Sequence, residues 1–131
     1  MGGLRLEARH ADALDRAARA YPGTPFNLNY ADADGKDMAL CLGDLLRAAG
    51  WSQLSAPSPA PGFPRRGVIL WASPHAMAIA TALAIPLREI FMVHVVERHD
   101  GGPVAVTVGQ ATWAMARGLV RDGGGGEGSA P

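Results

Sequence analysis

The sequence lacks most of the features that mark a specialised class of protein. It has a single cysteine, Cys41, so an intramolecular disulfide is excluded and a reducing compartment suits the chain. Its 12 Lys and Arg residues are balanced by 12 Asp and Glu residues, which leaves no basic surplus for a nucleic acid. Residues 1–5 contain no apolar segment of the kind found in secretory signals. These absences favour a cytoplasmic protein that binds no nucleic acid.

One stretch without charged residues invites a membrane interpretation. Residues 67–87 contain no Asp, Glu, Lys or Arg, and about 20 apolar residues suffice to span a bilayer. Ser73-Pro74 interrupts this stretch, and Ser followed by Pro is a typical helix start. The pattern therefore predicts a buried strand followed by a buried helix, with no membrane span.

What is present is the pattern of one small α/β domain. A chain of 131 residues, 48% of them hydrophobic, can bury one core without metal or disulfides. Apolar residues spaced three or four apart predict helices, and alternating or continuous apolar runs predict strands. The predicted helices are 4–20, 35 or 36 to 49, 74 to about 86, and 111–120, and the predicted strands are 26–30, 68–72, 91–97 and 104–108. Residues 52–66 form a Pro-rich loop and residues 122–131 a flexible Gly-rich tail, so the domain covers residues 1–121.

The helix that ends near residue 49 has the clearest local signals. Asp34 is the expected N-cap, and Gly50 fits the left-handed position just past the last turn. Trp51 would fold back on that turn. Cys41 lies on the apolar stripe of the same helix, so we expect it to be buried and unreactive.

The order of elements is α-β-α-β-α-β-β. Two βαβ crossovers imply three parallel strands. Asp100-Gly101-Gly102 is typical of a hairpin turn, which would add the fourth strand antiparallel to the third. The fold class is therefore α/β, with a mostly parallel four-stranded sheet and a C-terminal antiparallel hairpin.

The sequence favours this hairpin as the place where a partner protein binds. A hairpin added last leaves a strand at the edge, and strand 104–108 carries no charge that would repel pairing. Self-association or binding of another protein is therefore expected through five residues: Val104, Val106, Thr107, Val108 and, as an anchor, Trp113. In the alternative, helix 111–120 folds back and covers this edge.

Four residues are candidates for ligand binding. Asp32 and Asp34 follow a strand, where carboxylates can bind Mg²⁺, although the same residues suit a turn and a helix N-cap. Ser73 and His75 lie at a strand-to-helix junction, where α/β sheets bind ligands, although they also suit a capped helix with an exposed histidine. No catalytic residue, metal site or cofactor is indicated by any motif.

Several short segments together resemble a group of bacterial domains. They are the helix that ends at Gly50-Trp51, the apolar strand before Ser73-Pro74, the Ala-rich helix, and Val106-Thr107-Val108-Gly109. In this order they resemble small α/β domains of uncharacterised bacterial proteins, often found behind membrane helices. The resemblance covers about residues 24–110 and implies a bacterial origin and a compact α/β domain, but no activity.

Three functions stay open at this point. The first is a non-catalytic interaction or ligand-sensing module, because no catalytic residues converge in the sequence. The second is a small enzyme or a nucleotide- or anion-binding domain that uses Asp32, Asp34, Ser73 and His75 together at one end of the sheet. The third is a structural subunit of a homo-oligomer.

Overall fold

The computed structural model describes residues 4–60, 66–109 and 119–121. They form three helices and eight strands: β1 (Leu4–Leu6), α1 (Ala8–Arg19), β2 (Pro25–Tyr30), α2 (Ala33–Ala48), β3 (Ser52–Gln53), β4 (Ser58–Pro59), β5 (Val68–Ala72), α3 (Met77–Leu87), β6 (Val93–Glu97), β7 (Val104–Val108) and β8 (Leu119–Arg121). The α/β class is confirmed.

Most predicted segments differ by a few residues at an end, and two predicted helices contain strand residues. Residues 4–6 of the expected helix 4–20 are strand β1, which pairs antiparallel with β8. Residues 119 and 120 of the expected helix 111–120 also belong to β8. The rest of that helix, Trp113 and the Gly-rich tail lie outside the described residues. The Pro-rich loop contains the two-residue strands β3 and β4, which both pair with β2.

The main sheet has six strands, of which four are long and stand in the order β2-β7-β5-β6. β7 pairs parallel with β2 and antiparallel with β5, while β5 and β6 pair parallel. β2 therefore runs opposite to β5 and β6, so the expectation of three parallel strands was wrong. β6 and β7 form no hairpin, because β5 lies between them and residues 98–103 carry the chain across its end.

The predicted edge at residues 104–108 was also wrong, because β7 has a neighbour on each side. All five of its residues, including Val104, Val106, Thr107 and Val108, are buried. An uncharged strand is typical of the middle of a sheet as well as of an unprotected edge, and here it marks the middle. Among the described strands, the one with an unpaired edge on this side of the sheet is β6.

The helices cover one face of the sheet. Residues that pair across the strands share a face, and one such row is Leu28, Val106, Leu70 and Val95. This face packs on α2 and α3, which in turn hold α1. The opposite face carries Asn29, Thr107, Ile69 and His94 in one row and Asn27, Ala105, Trp71 and Val96 in the next.

Both ends of α2 are closed by capping hydrogen bonds. Asp32, not Asp34, is the N-cap, and its Oδ1 accepts a hydrogen bond of 2.7 Å from the Gly35 N–H. At the other end Gly50 has the predicted positive φ, +100°. The Gly50 N–H donates to the Arg47 carbonyl and the Trp51 N–H to the Leu46 carbonyl, which completes a Schellman motif.

Trp51 and Cys41, both expected in the core, differ in how deeply they are buried. Trp51 is buried, and its Nε1–H donates to the Ala18 carbonyl at 2.8 Å, which ties α1 to the core. Cys41 is half-buried against the core rather than fully buried.

Candidate functional site

The four candidate ligand residues lie at opposite ends of the sheet. Tyr30 pairs with Val108, so Asp32 and Asp34 follow β2 beside the end of β7. Trp71 pairs with Ala105, so Ser73 follows β5 beside the start of β7. Because β2 and β5 run in opposite directions, Asp32 and Asp34 are not brought together with Ser73 and His75. The expectation of one site built from all four was therefore wrong.

At the Asp32 end of the sheet, both carboxylates belong to the start of α2. Asp32 caps α2, and Asp34 is exposed on the first turn of the helix, where a negative charge is favoured by the helix dipole. Within the described residues, no cluster of three His, Cys, Asp or Glu side chains could hold a metal ion.

At the other end, called the Ser73 end below, Ser73 and His75 come together. Ser73 is 1% exposed, and its Oγ lies 3.3 Å from the His75 Nε2. Ser73 occupies the N-cap position of the short 3₁₀ turn that precedes α3, but its hydroxyl makes no capping hydrogen bond. The predicted junction is therefore confirmed, while the hydroxyl contacts a histidine instead of the helix backbone.

A cavity of about 420 Å³ opens beside this pair. One wall is the start of the helix, with Ala76 and Ile79, and another is Leu54 just after β3. Thr24 and Pro25 at the start of β2 and Val104 of β7 form a further wall, and Gly101 to Pro103, called the rim below, complete the lining. The Thr24 hydroxyl donates to the Tyr21 carbonyl at 2.6 Å. Ser73 and His75 therefore supply the polar groups that face a mainly apolar space.

Hydrogen bonds within the loop of residues 98–103 hold the rim in place. The Arg98 Nε and Nη2 donate to the two oxygens of Asp100 at 2.7 and 2.6 Å, and Nη1 donates to the Pro103 carbonyl at 3.2 Å. The Gly102 N–H donates to the same carboxylate at 3.0 Å. The hydrogen bonds from Arg98 and then from Gly102 lower the pKa of Asp100 from 3.8 to about 2.

A nucleophilic mechanism would need a third group. A serine is activated by a histidine that a carboxylate orients. Among the described residues, carboxylates pair with His10 and His99, and none pairs with His75. His75 is also exposed. The Ser73 hydroxyl and the His75 imidazole can each hydrogen-bond a ligand.

Sequence reasoning missed most of the cavity wall. Leu54, Ile79 and Gly101 come from three distant segments that only the strand order brings together. The exposed Leu54, at 56%, stands in a loop and gives no periodic signal.

Comparisons with known proteins found no relative of this chain. The chain matches no family model, and neither a curated protein nor a solved structure is detectably similar to it. No helix in the described part of the chain is long and apolar enough to cross a membrane.

Proposed function

We propose that this domain is a non-catalytic module that binds a small, mainly apolar molecule in the cavity at the Ser73 end. The observation that carries the proposal is the buried Ser73 hydroxyl, which contacts His75 at the wall of an apolar cavity. A volume of about 420 Å³ falls within the range of small-molecule sites. Such sites combine apolar walls with a few convergent polar groups.

The polar pair indicates what the ligand carries. A serine hydroxyl both donates and accepts, and a neutral imidazole does so through its two nitrogens. A ligand with one hydroxyl, amide or carboxyl group could therefore replace or extend the 3.3 Å contact. The rest of the ligand would lie along Leu54, Ile79 and Val104.

The experiment uses three probes with the same apolar body: hexanol, hexanamide and hexanoate. We expect at least one of them to shift the backbone amide NMR signals of residues 75–79 and of Gly101, Gly102 and Val104. Ile79→Trp fills the cavity and should abolish these shifts. Ile85→Trp is the matched control on the same helix, because Ile85 is 65% exposed and does not line this cavity.

Two results would overturn the proposal. One is the absence of shifts at these amides with all three probes. The other is binding to Ile79→Trp that equals binding to Ile85→Trp. Ser73→Ala should weaken binding about fivefold through the loss of one hydrogen bond, whereas Ser58→Ala, at an exposed site on β4, should not.

Self-association is a second candidate, with a different edge from the one expected. Among the described residues no strand pairs with the outer edge of β6, so its N–H and C=O groups could pair with a second copy; Val93 to Val96 carry no Lys or Pro, and Met92 beside them is 49% exposed. Val96→Lys, on the sheet face opposite the helices, should then convert an oligomer into a monomer in light scattering. A native chain that is monomeric at high concentration excludes self-association through β6.

Bacterial origin and a cytoplasmic location stay predictions from the sequence.

A further inference from the structure

The cavity at the Ser73 end has no fixed charge in its described walls. None of the described residues that line it is Asp, Glu, Lys or Arg, and the titratable side chain among them is His75. A cationic ligand would therefore bring its charge into a mainly apolar space without a carboxylate to pair with, which is costly. An anionic ligand would meet an imidazole, which can become positively charged near neutral pH. The walls thus favour an acid over an amine.

The charged groups next to the cavity are already paired. Arg98 donates two hydrogen bonds to Asp100 in the loop that continues into the rim, and the His99 Nδ1 lies 3.5 Å from a carboxylate oxygen of Glu97. The hydrogen bond from Arg98 lowers the pKa of Asp100 to about 2, so this carboxylate stays ionised near neutral pH. β2, α3 and the residues after β3 contribute only uncharged side chains to the described walls. Among the lining residues, His75 is therefore the group whose charge can change when a ligand binds.

The exposure of His75 lowers the cost of a charge at this position. Its side chain is exposed, while Ser73 beside it is 1% exposed. A protonated imidazole therefore keeps contact with water, and so does a charged group that binds next to it. Complete burial of two opposite charges can cost more than their attraction provides, and this site avoids that cost.

A carboxylate also suits the hydrogen-bonding groups of Ser73 and His75. It only accepts hydrogen bonds, so both side chains must act as donors beside it. Ser73 can donate its O–H to the carboxylate while its Oγ accepts from the His75 Nε2–H, 3.3 Å away. A carboxylate held in this way favours the protonated imidazole, and hydrogen bonds between charged partners are about twice as strong as neutral ones. A neutral hydroxyl or amide gains neither advantage.

We infer that the ligand of this cavity is a small carboxylic acid with an apolar chain, bound as its carboxylate, and that His75 takes up a proton from the solvent when it binds. The inference rests on the function proposed above and names the polar group of that ligand. Ser73 and His75 hold the carboxylate, and the apolar chain packs along Leu54, Ile79 and Val104.

The test compares the affinities of hexanoate, hexanol and hexanamide, measured by NMR titration at about pH 6 and about pH 8. At the lower pH, hexanoate should bind at least about fivefold more tightly than either neutral probe, because its hydrogen bonds are charge-assisted. Its affinity should fall about fivefold or more towards pH 8, where an imidazole is largely neutral. The affinities of the two neutral probes should stay the same. The ring ¹⁵N signals of His75 should show proton uptake with hexanoate alone.

His75→Gln keeps a hydrogen-bonding amide that cannot become charged. In this variant hexanoate should lose its advantage over hexanol, and its affinity should no longer depend on pH. His99→Gln is the matched control, because His99 is also an exposed histidine but does not line the cavity. It should keep both the preference for hexanoate and the pH dependence of the native chain.

Two results would overturn the inference alone. One is a neutral probe that binds as tightly as hexanoate at the lower pH, and the other is a hexanoate affinity that depends on pH equally in the native chain and in His75→Gln. Either result leaves the proposed function standing, because the cavity still binds a probe. If no probe binds the native chain, the proposed function fails and the inference fails with it.

Discussion

At the scale of single residues, Gly67 lies where β5 and β6 begin side by side. Its φ is +86°, and a Cβ at this position would stand 2.3 Å from the Met92 carbonyl oxygen. That oxygen also accepts the Val68 N–H at 2.8 Å, so it cannot move away without loss of a sheet hydrogen bond. Gly67→Ala should therefore lower the free energy of unfolding by about 2–4 kcal/mol, from strain and overpacking together.

Gly50→Ala is the control for this prediction. Gly50 also has a positive φ, but the nearest atom to an added Cβ, on Pro22, is 3.8 Å away. The loss should be about 1 kcal/mol, from the backbone conformation alone. Denaturant unfolding of both variants measures the difference, and equal losses would show that the contact with Met92 is unimportant.

At the scale of elements, the loop of residues 98–103 carries a charge pair that responds to pH. Arg98 lowers the pKa of Asp100 to about 2, so the folded state binds this proton less readily than the unfolded chain. The pair therefore stabilises the fold above pH 3.8, and this contribution is lost as the pH falls towards 2. The carboxyl ¹³C signal of Asp100 should titrate near 2.

Arg98→Gln is the variant that checks the cause. Without the guanidinium, the pKa of Asp100 should rise towards 3.8, and the amide signals of Gly101 and Gly102 should change because the rim is no longer held. An Asp100 titration that is the same in both proteins would mean that Arg98 does not set the pKa.

Most elements could be predicted, because each is decided by local chemistry. The apolar runs of β5 and β7 placed both strands at their true bounds, and the Gly50-Trp51 pair placed the end of α2. The N-cap was assigned to Asp34 instead of Asp32 because both are good capping residues two positions apart. A three-residue strand such as β1 is too short for a periodic pattern to distinguish it from the start of α1.

At the scale of the whole molecule, the strand order could not be predicted, and the site depends on it. Apolar alternation reports how deeply a strand is buried, but not which strands lie beside it. Ser73 and His75 are two positions apart, so the sequence could propose them together. Most of the remaining cavity wall comes from residues at the start of β2, after β3 and at the start of β7, which meet only because β7 lies between β2 and β5.

This central position of β7 predicts a sharp dependence of folding on residues 104–108. β2 and β5 pair with β7 and not with each other. A chain that ends at residue 102 should therefore show no cooperative thermal unfolding, whereas one that ends at residue 109 should regain it. Equal cooperative transitions in the two chains would contradict the role of β7 as the strand that joins both halves.

The same feature has a consequence during synthesis. On the ribosome, β2 and β5 emerge long before β7, and each presents an unpaired apolar edge until its shared neighbour arrives. Contacts so distant in sequence form slowly, and exposed strand edges attract other chains in the meantime. Binding of a chaperone to the nascent chain should therefore persist until Val108 has left the exit tunnel and then decline; a decline that begins once β5 has emerged would argue against this order.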